Sequence, residues 1–204
     1  MVRFPISLAL LTLCALTAGC ITPRSFLDPS FPLATYDNVE RLPEPISVRV
    51  VVTFERFGKH FPAAEPELQR LTERTLRASG LLLPAKDGAG EFQITVNNFG
   101  DAGAAIAQGF GTGLTFGLVG TTIADGYDTT VLITYGGKLV KRVAVKNGIR
   151  TAIGNTPSTS SIQTTTPAVA FERVIESIIL GILVDMQKAG DLPRPVRNAA
   201  QSAI

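Results

Sequence analysis

Tryptophan is absent from this 204-residue chain, histidine occurs once and cysteine twice. A histidine metal site wants more than one ring nitrogen, so His60 alone cannot supply one. A Ser-His-Asp or Cys-His triad would need His60 beside a nucleophile, and in Gly58-Lys59-His60-Phe61-Pro62 it reads as a loop residue. The chain has no Gly-x-Ser-x-Gly elbow, no Walker lysine motif and no metal-type cysteine pair. Asp101, Asp125 and Asp128 read as turn and boundary residues rather than a carboxylate site. No enzyme, cofactor or metal is expected. A one-signed charge is missing too: nineteen basic residues face seventeen acidic ones, and the basic residues are scattered. That gives no electrostatic case for nucleic acid. The length suits one domain with its own core.

What is present begins with an export signal over residues 1–19. Arg3 supplies the positive start, and Ile6 to Leu16 is an apolar run of eleven residues, too short to span a bilayer. Leu16-Thr17-Ala18-Gly19-Cys20 follows. It resembles a bacterial lipobox, with Thr17 where that family usually has leucine. The resemblance implies cleavage before Cys20 and acylation of its sulfur. Cys14 lies inside the leader, so the mature chain would hold no second thiol and no internal disulfide. Ile21 stands where enteric-type lipoproteins retained at the inner membrane carry aspartate, which points to the outer membrane, facing the periplasm.

Residues 20–45 hold the lipidated cysteine and five prolines without a sustained period, and read as a stiff tether that does not pack. Twenty-five such residues could reach roughly 80 Å, leaving the domain free of the membrane. A single domain is expected over 46–190. Ile46 to Phe54 alternates as a strand, and Glu65 to Ser79 is an amphipathic helix stopped by Gly80. Glu91 to Asn97 is a second strand. Asp128 to Tyr135 and Lys138 to Lys146 form a hairpin around Gly136-Gly137. Asn155 to Pro167 is rich in serine and threonine and reads as a loop. The last helix is capped by Thr166, opens at Pro167 and ends near Gly190. It is apolar almost all round from Ile178 to Val184. Residues 191–204 read as a polar tail. The expected class is α+β: a small, mainly antiparallel sheet in the order β-α-β, apolar insertion, β-β-α, with helices on one face. That order resembles small periplasmic lipoprotein domains with a TolB N-terminal-like arrangement.

The insertion, 102–124, runs twenty-three residues without a charge and contains six glycines. Gly109, Gly113 and Gly117 make a small-residue stripe at helical spacing, beside Phe110, Leu114 and Leu118. The segment resembles glycine zippers of outer-membrane lipoproteins. Its stretch Gly113 to Thr122, with Asp125 and Tyr127, also resembles an uncharacterised group of proteobacterial lipoproteins, which brings no known activity. A strand period fits equally, because a spacing of four is a multiple of two and Phe116 is in phase. Two readings stay open: a core element with close-packed backbone, or a segment touching membrane or partner through Gly109, Phe110, Gly113, Leu114, Phe116, Gly117 and Leu118.

These features point to a non-enzymatic, membrane-anchored lipoprotein, an accessory component of the cell envelope that binds another envelope protein. The alternative is a carrier of a small lipid, which needs a closed apolar cavity between sheet and helices.

Overall fold

The structure, a computed structural model, describes residues 23–100, 121–153 and 162–195. Among the described residues seven strands form one sheet: β1 (Arg24–Leu27), β2 (Ile46–Arg56), β3 (Lys59–His60), β4 (Leu82–Pro84), β5 (Gly90–Gly100), β6 (Thr121–Tyr135) and β7 (Lys138–Ile153). Their order across the sheet is β1-β7-β6-β5-β2-β3, and β4 also pairs with β2. Two helices, α1 (Glu65–Ser79) and α2 (Pro167–Ala189), touch each other and share one core with the sheet.

The expectation of a small, mainly antiparallel sheet is corrected here: the sheet is mixed. β2 lies parallel to β5 from Val48↔Gly90 to Arg56↔Asn98, and parallel to β4 as well. The reason is connectivity. β2 and β5 are joined through a helix rather than a tight turn, and a helical crossover returns the chain in its original direction. β5, β6 and β7 then follow as an antiparallel meander, and β1 adds to β7 antiparallel.

The helices follow their capping chemistry. Thr166 accepts a hydrogen bond from the Val169 N–H, Pro167 opens α2, and Gly190 closes it in the left-handed region. Gly80 ends α1 in the same way. Leu68, Leu71 and Leu76 of α1 and Val174, Ile175, Ile178, Ile179, Ile182 and Leu183 of α2 are buried against Val48, Phe54, Phe92, Ile94, Val96, Val131 and Ile133. The other side of the sheet carries Arg49, Glu91, Gln93 and Lys141, with Arg49 and Gln93 both donating to Glu91. This polar and apolar alternation is what a sheet covered on one side requires.

Three boundaries move. The apolar insertion does not extend to Ala124, because Thr121 to Ala124 already belong to β6 and pair with Arg150 to Ile153 of β7. The domain begins at Arg24 rather than at residue 46. The reading of 20–45 as a tether that does not pack is therefore wrong for its described part. The beginning of the polar tail packs as well: Leu192 is buried, and Arg194 donates to the Gln187 carbonyl at 2.7 Å.

Candidate functional site

The N-terminal segment is a lash drawn across α2. Ser25 exchanges two main-chain hydrogen bonds of 2.7 Å with Thr165, and its hydroxyl meets that of Thr151 at 2.8 Å in a buried contact. The Ala34 N–H donates to Ser177 Oγ at 3.1 Å, and the Tyr36 hydroxyl donates to Glu176 at 2.8 Å. Gln187 completes the run, accepting from the Glu40 N–H at 3.0 Å and donating to its carbonyl at 2.7 Å. Glu176, Ser177 and Gln187 lie on one helical face, so the lash follows the helix axis. Gly181 lies on its path, where the position of a Cβ would stand 3.7 Å from that of Ala34.

Asp28 fastens the start of the lash, accepting from Arg150 Nε at 2.8 Å and from the Ser30 N–H at 2.9 Å. Burial opposes its charge, but Ser30 and the Arg150 guanidinium outweigh burial and hold the carboxyl below the ordinary aspartate range. A depressed folded value means the latch contributes in full above the unfolded pKa near 3.9 and is lost as pH falls through the lower folded value. The protection of the backbone amides at Arg24 to Phe31, measured as exchange relative to the intrinsic rate at each pH, is therefore expected to fall in acid. In Asp28→Asn that acid-dependent step should disappear, leaving at neutral pH the low protection that the native sequence reaches only in acid.

Strand register places the start of the lash. Arg24 pairs with Ala152, and Ala152 pairs with Thr122. The chain thus enters the fold at the end of the sheet where β5 leaves at Gly100, β6 begins and β7 finishes.

The same end carries exposed aromatics. β2 and β3 are joined by Phe57-Gly58, with φ of 53° and 71°. Two successive positive values between antiparallel strands are the signature of a hairpin turn that prefers Asn-Gly. Phenylalanine in this conformation costs on the order of 1 kcal/mol. Phe57 nevertheless stands 59% exposed, with the Arg56 guanidinium 6.0 Å from its ring. The turn is held from β5: the Phe57 N–H donates to the Asn98 carbonyl and the Gly58 N–H to Asn97 Oδ1, both at 2.9 Å. Phe99 lies over Gly126, whose missing side chain makes room for the ring. Phe61, Phe54, Phe171 and Tyr127 continue inward as ring contacts of 6.4, 6.2 and 5.9 Å.

His60 is in β3 rather than a loop. Its Nε2 lies 2.7 Å from Glu65 Oε1, and this contact, with the Phe54 N–H, keeps the Glu65 carboxyl below its ordinary pKa. The sequence reading missed Arg56, Phe57, Phe61 and Phe99. The available signal was an aromatic beside glycine at two strand ends, Phe57-Gly58 and Phe99-Gly100.

Of the residues singled out from sequence, Cys20, Gly109, Phe110, Gly113, Leu114, Phe116, Gly117 and Leu118 lie outside the described residues, as does Asp101. Asp125 and Asp128 are not turn residues: both lie within β6, paired with Ile149 and Lys146 of β7, because the strand starts at Thr121 and already contains them. Among the described residues no group of three His, Cys, Asp or Glu side chains could hold a metal ion, and no helix is long and apolar enough to cross a membrane. A cavity of about 400 Å³ opens beside β2, lined by Arg49, Gln69, Glu73 and Lys86 among others. Its charged lining differs from the apolar cavity that a lipid carrier requires.

No family model matches the chain, and no curated protein matches it. Among solved structures it is similar to a PelC dodecamer from Paraburkholderia phytofirmans, with 16% identity and a TM-score of 0.35, covering 79% of this chain and 96% of that one. It is also similar to a Xanthomonas campestris protein of the DUF330 family model, with 12% identity and a TM-score of 0.37, covering 74% of this chain and 95% of that one. Neither likeness is close enough to carry an argument about fold or role.

Proposed function

We propose that this chain is a non-enzymatic lipoprotein held by acyl groups on Cys20 to the periplasmic face of the outer membrane, where it serves as an accessory component bound to another envelope protein. The observation that supports this reading best is the placing of the lipobox-like Leu16-Thr17-Ala18-Gly19-Cys20 directly ahead of a fold that starts at Arg24. A cleaved chain would begin at the modified residue and enter the sheet four residues later. Burial of acyl chains contributes about 0.8 kcal/mol per methylene, so two chains already give stable attachment. The second reading, a small-lipid carrier, draws no support from the charged cavity beside β2.

The test is fractionation with intact-mass analysis of the processed protein. The native sequence is expected in the membrane fraction, with a mass that fits an acylated Cys20 as first residue. Cys20→Ser is expected in the soluble fraction. An intact leader or a bare thiol at Cys20 would overturn the reading.

A further inference from the structure

We propose that the sheet end bearing Phe57 rests on the bilayer surface, so that the domain is attached at two points rather than one. This rests on acylation of Cys20. Three observations carry it.

The first is reach. Only three residues lie between Cys20 and Arg24, four residue steps in all, and the position of Arg24 is fixed by pairing with Ala152. Such a stretch spans at most about 14 Å. An acylated Cys20 therefore keeps this end of the sheet, and not the opposite Tyr135–Lys138 hairpin, beside the headgroups.

The second is the chemistry of the end. Phe57, Phe99 and Phe61 are 59%, 42% and 40% exposed. Arg24, Arg56 and Lys59 are exposed on the same end. Aromatic rings flanked by cations suit the boundary between acyl chains and phosphates, where rings enter the apolar layer and guanidinium groups meet phosphate. The occupant we infer is accordingly a lipid surface carrying phosphate headgroups.

The third is the conformation of Phe57. A bulky residue at positive φ is disfavoured, and this one is held there by two hydrogen bonds from β5 while its ring stays in solvent. The ring lies against the Arg56 guanidinium and stands largely exposed at the turn that ends β2.

The anchor and the ring stand at opposite edges of the sheet, since β1 is the first strand in the order and the β2–β3 turn lies at the other side. Five strand spacings separate β1 from β3, or about 24 Å. Two attachments that far apart fix orientation as well as proximity, because the second contact becomes intramolecular once the first is made.

The absence of tryptophan makes the test direct. Phe57→Trp places a single indole at the tip, and Leu139→Trp places one at the far hairpin, where Leu139 is 65% exposed. Each variant is purified in its acylated form and bound to vesicles of phosphatidylethanolamine and phosphatidylglycerol. Cosedimentation and intact mass are recorded on the same samples. The expected result is a blue shift and at least about twofold quenching by chain-brominated lipid for Phe57→Trp, with neither for Leu139→Trp. If the acylated protein sediments with vesicles but Phe57→Trp emits as in water, the docking is wrong and the lipid anchor stands. If Cys20 is unmodified, both fall together. A blue shift that follows protein concentration without vesicles means that a second copy covers the tip, and this too overturns the proposal.

Discussion

Leu180→Ala is expected to lower the free energy of unfolding by about 3–4 kcal/mol, in the middle of the range for leucine truncation in rigid cores. Leu180 is fully buried. Helical spacing sets it on the face shared by Glu176, Ser177 and Gln187, the face crossed by the lash, rather than on the face toward the sheet. The lash is bound there by main-chain hydrogen bonds and cannot settle into the space left by three lost carbons without breaking them. Urea unfolding followed by circular dichroism checks this. A loss near 1 kcal/mol would mean that the lash is loose enough to collapse onto alanine.

Gln187→Ala is expected to cost about 2–3 kcal/mol by a different route. The side chain is 3% exposed and bonds both main-chain groups of Glu40 and the carbonyl of Pro193. Alanine strips these contacts and leaves the helix intact. Hydrogen exchange should therefore accelerate between Ala34 and Leu42 with little change at Val174 to Leu183. Uniform acceleration across both regions would show that lash and helix open as one unit.

The parts of the fold legible in the sequence were those with a period and a terminator. α1 shows an amphipathic repeat ending at Gly80, α2 shows a capping threonine and Pro167, and Gly136-Gly137 joins two β-rich runs. All three take the bounds or turn expected. The mainly antiparallel sheet is what failed, since β2 runs parallel to β5, and a helix between two strands carries that information. The lash was illegible for a physical reason. Its apolar contacts with the core, Leu27, Ala34, Tyr36, Val39 and Leu42, follow no repeat, and much of its hold comes from main-chain groups bonding to Ser177 and Gln187. Hydrogen bonds of that kind leave no pattern in the segment that uses them. The aromatic end escaped notice because strand register, not local sequence, brings Phe57 beside Asn98 and Phe99 over Gly126.

The closing strand of one edge has a consequence for assembly. Ser25 and Thr151 are 126 positions apart, so β1 finds its partner only after most of the chain has arrived. Closing so long a loop is slow relative to local hairpins. If the chain is exported as proposed, its leading residues would thus stay unpaired until β7 emerges. In the proposed lipoprotein that delay leaves Cys20 accessible to the modifying enzymes before the sheet seals beside it.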